Sequence, residues 1–173
     1  EVTNPYALSK LSGEYLLRIY RENFNLEYVA LRYFNVFGPR QRKDSAYASV
    51  IPSFIDRALR NENLTIYGDG NQTRDFVYVD DIARANISSM DKGSGIYNVG
   101  TGKSIRVIDL ANKIIEETGS SSKIIFESER RGDLYFSCCN PSKIIDNISW
   151  KPSIFIEEGL NRTIGWFKED IVN

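Results

Sequence analysis

Tyr6 and Lys10 stand four residues apart near the start of the chain, in Tyr6-Ala-Leu-Ser-Lys10. On a helix this spacing puts both side chains on one face, with Cβ atoms roughly 5–6 Å apart. A phenol with an ordinary pKa of about 10 is a poor base at neutral pH, and a neighbouring ammonium favours the phenolate. The pair is therefore a candidate general acid/base. The same spacing also describes a core aromatic beside a solvated charge.

Other chemistry is removed by residue type. There is no histidine, which excludes a Ser-His-Asp triad, a Cys-His dyad and any His-ligated metal within this chain. The only cysteines, Cys138 and Cys139, are adjacent. On an extended chain they point to opposite faces, so a bridge between them is strained. Two reduced thiols are expected, one facing the core, and no metal site. Reduced thiols point to the cytoplasm. Gly100-Thr-Gly-Lys-Ser104 is like the end of a phosphate-binding P-loop, but the position that needs the first Gly is Tyr97. The segment reads instead as a turn leading into a helix near Val107.

The elements that must position Tyr6 and Lys10 follow from periodicity. Asn4-Pro5 is a helix entry, and Leu8, Leu11, Tyr15, Leu16 and Ile19 continue it at helical spacing to about Asn23. Glu27 to Phe34 is β-branched, aromatic and almost continuously apolar, which predicts a strand buried on both faces. Asn35 to Arg42, broken by Gly38-Pro39, reads as a loop. Helices are expected from Ser49 or Pro52 to Asn61, from an Asp80-Asp81 cap to about Met90, over Val107–Thr118, Pro141–Asn147 and Ile156–Lys168. Strands are expected over 64–67, 74–79, 96–99 and 123–126. The alternation makes the class α/β.

With 173 residues and 42% hydrophobic residues, the chain suits one domain or a large part of one. Its net charge of -1 argues against nucleic acid and anionic membrane as partners. No apolar run approaches the roughly 20 residues of a spanning helix, and the first residues lack the basic and apolar stretches of a signal peptide.

Five blocks carry a resemblance. They are Asn4-Pro-Tyr-Ala-Leu-Ser-Lys10 with Glu14; Leu31-Arg-Tyr-Phe-Asn-Val-Phe-Gly-Pro39; Tyr67-Gly-Asp-Gly70 with Arg74-Asp-Phe-Val-Tyr-Val-Asp-Asp81; Tyr97-Asn-Val-Gly-Thr-Gly102; and Arg130-Arg-Gly-Asp133. In this order and spacing the chain resembles the C-terminal portion of the NAD-dependent nucleotide-sugar epimerase/dehydratase family, the extended short-chain dehydrogenases/reductases, and most of all its UDP-glucose 4-epimerases. The resemblance implies residues 1–48 as the late part of a Rossmann-type, doubly wound NAD-binding domain. It implies 49–173 as mainly a smaller α/β substrate-binding domain, with some segments returning to the Rossmann-type sheet. The family's Gly-rich dinucleotide turn and its upstream Ser/Thr are not in the sequence, so the chain is expected to be incomplete and inactive alone.

Residue by residue, Tyr6 matches the catalytic tyrosine and Lys10 the lysine that also holds the nicotinamide ribose. Phe34 falls beside the nicotinamide half of NAD. Asn35, Arg74 and Arg130 match contacts to the substrate's diphosphate, Asp133 one to the nucleoside ribose, and Thr65, Ile66 and Tyr67 the segment along the base. Guanidinium forks suit phosphate oxygens; singly, either arginine also reads as a surface ion pair, and Asn35 as an Asx-turn residue. The implied activity is UDP-hexose 4-epimerisation through a 4-keto intermediate with bound NAD, in a cytoplasmic homodimer. Another nucleotide-sugar dehydratase, decarboxylase or reductase, and a non-catalytic nucleotide-sugar-binding module, are the alternatives.

Overall fold

A computed structural model describes residues 4–42, 49–130 and 132–172. The first helix, α1, spans Pro5–Phe24. Asn4 caps it: its Oδ1 accepts from the Ala7 N–H at 2.8 Å, with Pro5 in the first turn where no N–H is needed. Asn25 ends it in the left-handed conformation. No residue of α1 is buried.

Two strands follow, β1 (Val29–Tyr33) and β2 (Asn35–Phe37). Then come α2 (Val50–Leu59), β3 (Leu64–Tyr67), β4 (Thr73–Tyr78), α3 (Val79–Met90), β5 (Gly95–Val99) and β6 (Ser104–Arg106). The remainder is α4 (Val107–Thr118), β7 (Ile124–Glu127), α5 (Ser142–Ile148) and α6 (Ile156–Val172). Three strand pairs are parallel: β1 with β5, β2 with β4, and β3 with β7. β6 adds antiparallel to β4. Parallel strands joined through helices make the chain α/β.

Two cores hold these pieces. In one, α2, α4 and α6 pack on β3 and β4 through Ile51, Ile55, Leu64, Ile66, Leu110, Ile114 and Leu160, all essentially without exposure. Gly159 lets α6 come close, since a Cβ there would lie 2.5 Å from Phe37 Cζ. In the other, Val77, Tyr97 and Val99 meet Ile82 and Ala85 of α3, Ile144 and Ile148 of α5, and Trp150. Among the described residues no helix is long and apolar enough to cross a membrane.

Four sequence expectations need correction. Asn35–Phe37 is strand, not loop: it pairs with Phe76–Tyr78, and Phe37 is buried edge-on against Phe76 and Tyr78, with ring centroids 6.2 and 5.6 Å away. The strand before it is not buried on both faces; Val29–Leu31 are half-buried and Arg32 and Tyr33 exposed, because among the described residues only β5 pairs with it. β6 starts at the last residue of the P-loop-like segment, where the sequence reads as a turn leading straight into a helix. Asp80 and Asp81 do not cap α3, which starts at Val79 without a side-chain cap. They lie in its first turn, where negative charge suits the helix dipole.

Candidate active site

Tyr6 and Lys10 form one wall of a groove of about 670 Å³ between α1 and β1. The Lys10 Nζ lies 5.3 Å from the Tyr6 ring centroid. Glu14, one further four-residue step along, lines the same groove. Its carboxylate takes both Nε and Nη2 of Arg32 on β1, each at 2.5 Å. That hydrogen bonding holds the Glu14 carboxyl below its ordinary range and pushes the Arg32 guanidinium up. Leu11, Leu17 and Leu31 supply apolar wall. A hydroxyl and an ammonium on one wall of an open groove can exchange a proton with a bound hydroxyl.

β1 runs toward Asn35 through Phe34, whose N–H donates to the Val99 carbonyl at 2.9 Å and extends the β1–β5 ladder. The Asn35 Nδ2 donates to the Asp75 carbonyl at 2.8 Å. Asn35 is therefore tied across the sheet rather than folded into a local Asx turn.

A second cavity, of about 260 Å³, opens at the end of β3. Tyr67, Arg130 and Asp133 line it together. The Arg130 guanidinium stacks 3.8 Å from the Tyr67 ring centroid. Tyr135 closes one side, its hydroxyl donating to Asp69 Oδ2 at 2.8 Å. Bonds from Asn71, and then from Tyr135, hold the Asp69 carboxyl low, while donating that bond to a carboxylate pushes the Tyr135 phenol up. The cavity thus offers an aromatic face, a guanidinium and a carboxylate, a set suited to a flat ring bearing anionic groups and hydroxyls.

The remaining expected residues are placed differently. β3 alternates, so Ile66 points into the core and is fully buried, while Thr65 and Tyr67 share the other face. The Ile66 side chain cannot reach the cavity, and Thr65 does not line it. Arg74 Nη1 donates to two backbone carbonyls, Thr73 at 2.9 Å and Leu134. It is a strut holding the segment that carries Asp133, not a member of a surface ion pair.

Sequence reading missed the residue that organises this region. Asp75 is fully buried and its carboxylate accepts from the Thr101 N–H (2.9 Å), Thr101 Oγ1 (2.6 Å), the Gly102 N–H (2.9 Å) and the Cys139 N–H (3.0 Å). The amides of the P-loop-like turn are thus occupied by the protein's own carboxylate. Gly100 is required there, since a Cβ would lie 2.6 Å from Cys139 Cβ. Cys138 and Cys139 are free thiols, the first exposed and the second buried. Burial, reinforced by Asp75, pushes the Cys139 thiol up to about 12. Asp81 does the same work for another segment, accepting from the Ser153 and Ile154 N–H groups, each at 3.0 Å, and from Arg84. For Asp75 the hint was its place at the head of the apolar run Phe76–Val79, where an unpaired carboxylate is costly. No group of three His, Cys, Asp or Glu among the described residues could hold a metal.

Residues 1–100 match the model of the NAD dependent epimerase/dehydratase family. A Methanocaldococcus jannaschii protein provisionally named UDP-glucose 4-epimerase is 41% identical over 167 residues, which are 96% of this chain and 54% of that protein. The structure of Thermotoga maritima UDP-glucose 4-epimerase with UDP-glucose superposes with a TM-score of 0.96 at 37% identity, covering 99% of this chain and 55% of that one. Methanobrevibacter ruminantium UDP-N-acetylglucosamine 4-epimerase, in complex with UDP-N-acetylmuramic acid, gives a TM-score of 0.93 at 44% identity, over 98% of this chain and 55% of that one. The chain spans about half the length of the curated relatives it matches.

Proposed function

The chain belongs to the NAD dependent epimerase/dehydratase family, and from that premise we propose that it serves the C4 epimerisation of a UDP-hexose through a 4-keto intermediate. The observation that carries this reading is the placement of Tyr6 and Lys10 on one wall of the groove against β1. NAD, when bound, supplies reversible hydride transfer. The groove suits its nicotinamide end: the Tyr6 hydroxyl and Lys10 ammonium match ribose oxygens, and Leu11, Leu17 and Leu31 give the flat ring an apolar wall. Phe34 stands at the end of that strand. A Gly-rich turn for the dinucleotide phosphates is not among the residues of this chain.

In this reading the nucleotide occupies the second cavity. Tyr67 meets the base, Asp133 the ribose and Arg130 the diphosphate, with Arg74 bracing the wall and its remaining N–H groups turned to phosphate. Asn35 meets the diphosphate as well. Tyr6 takes the proton of the sugar 4-hydroxyl and returns one after the keto sugar has presented its other face, and Lys10 stabilises the phenolate between the two events. Holding the diphosphate at a distance from C4 leaves the sugar free to turn. The same reading places the protein in the cytoplasm as a homodimer, and the exposed apolar stripe of α1 is a surface that association would cover.

The test is turnover of UDP-glucose by the protein at its natural full length, against Tyr6→Phe. The variant should lose about 100- to 10,000-fold in kcat while UDP binding, read by calorimetry, stays near wild type. A Phe variant of normal activity would remove Tyr6 from the reaction.

A further inference from the structure

A charged pair bridges the two walls of the groove, Glu14 on α1 and Arg32 on β1. α1 has no fully buried residue; Leu11 and Leu17 are half-buried beside Leu31, and Glu14 lies among them. β1 itself is fixed: its backbone pairs with β5 from Val29↔Gly95 to Tyr33↔Val99, and the Tyr33 hydroxyl donates to Asn86 of α3 at 2.8 Å. Arg32, paired with Asn98 in that ladder, is therefore a stationary reference. Glu14 reaches it with both carboxylate oxygens, in the two-bond fork that restricts orientation as well as distance. The Glu14 side chain is only 16% exposed, against 51% for Arg32. Among the described residues, the other ion pair that α1 makes beyond its own turns, Arg21 to Glu27 at 3.7 Å, is beside its C-terminal connection and does not set the N-terminal half.

Resting on the functional reading above, we infer that Glu14 is a positioning residue for the reaction, setting through Arg32 the rotation of α1 that aims Tyr6 and Lys10 into the groove. Tyr6, Lys10 and Glu14 succeed one another at four-residue steps, so a helix phase fixed at Glu14 is carried to Tyr6, about 12 Å along the axis. A turn of the helix by about 20° moves a side-chain tip roughly 2 Å. Misplacement of about 1 Å can cost on the order of 100-fold in rate. The carboxylate does not touch substrate in this arrangement, so its loss lowers kcat with little change in KM.

The experiment uses the full-length protein with Glu14→Gln, Arg32→Gln and the exchanged pair Glu14→Arg/Arg32→Glu. Each single variant should lower kcat roughly 10- to 100-fold with KM within about threefold, and the exchanged pair should recover most of the loss. Hydrogen exchange is read in parallel. Amides of α1 should exchange about tenfold faster in Glu14→Gln, recover in the exchanged pair, and leave α4 unchanged. Normal kcat in Glu14→Gln overturns the inference, as does a loss that the exchanged pair does not repair. If the wild type turns over no UDP-hexose, the functional reading fails by itself. Exchange then decides alone: unaltered α1 amides overturn the positioning role, and faster ones that the exchanged pair restores uphold it.

Discussion

α1 and α4 are both amphipathic by sequence, yet only one is covered. In α4, Leu110, Ala111 and Ile114 are completely buried beneath α2 and α6. In α1, Leu8, Tyr15, Leu16, Ile19 and Tyr20 are each about half exposed. The first helix is held by an end cap, a charged pair and the half-buried Leu11 and Leu17, the second by a core. An apolar stripe at helical spacing states a demand for a partner surface; it does not say where that surface is. The region that carries Tyr6 and Lys10 thus depends on directional polar bonds, and the region around α2, α4 and α6 on burial. Each should respond to a different class of substitution.

The largest response should come from a polar group inside the well-packed region. Removing the Asp75 carboxylate, itself fully buried, takes the acceptor from the N–H groups of Thr101, Gly102 and Cys139. Asp75→Ala should cost roughly 3–5 kcal/mol in urea unfolding of the chain, more than a typical core truncation. A cost under about 1 kcal/mol would mean that the three amides find other partners, and the contrast between the regions would lose its polar half.

Truncating apolar side chains should then separate the regions directly. Leu160 is fully buried between α6 and its neighbours, and Leu16 is 55% exposed. Leu160→Ala should cost about 2–5 kcal/mol, and Leu16→Ala should stay within about 0.5 kcal/mol. Equal costs would show that α1 is covered in solution by a surface absent from this fold, which would sharpen the comparison into a search for that surface.

These contrasts also explain what could be read in advance. Residues 64–67 and Val107–Thr118 were placed to the residue because β-alternation and a Gly119 stop are local signals. β2 was lost because Gly38-Pro39 announces a break without saying how late it falls. Asp75 is not legible locally because its partners lie 26, 27 and 64 residues away. Asp81 was read as a cap for the local reason that Asp favours helix starts, while its partners at Ser153 and Ile154 took its carboxylate inward. That Tyr6 and Lys10 share a helix face was legible from spacing, while their candidate role came with the resemblance. The grouping of Tyr67, Arg130 and Asp133 came only with the resemblance, since parallel β3–β7 pairing is what joins them. Ile66 was swept in by a contiguous motif that the strand's two-residue period divides.

The smallest effect should be a shift of α1 alone with pH. Hydrogen bonding to Arg32 lowers the Glu14 pKa from its ordinary 4.5, and Arg32 stays protonated far above that range. A carboxyl whose folded pKa is depressed adds stability that is complete above the unfolded value and is lost as pH falls through the folded one. The window therefore opens near 4.5 and extends downward. Hydrogen-exchange protection of α1, corrected for the intrinsic pH dependence of exchange, should fall through it, while α4, held by burial and without a partner carboxylate in its core, should keep its protection. Glu14→Gln should already show the low-pH protection of α1 at neutral pH and no further change in this window. If α1 in the wild type keeps full protection well below pH 4.5, then packing or association rather than the Glu14–Arg32 fork secures the helix, and the two regions are held by the same means after all.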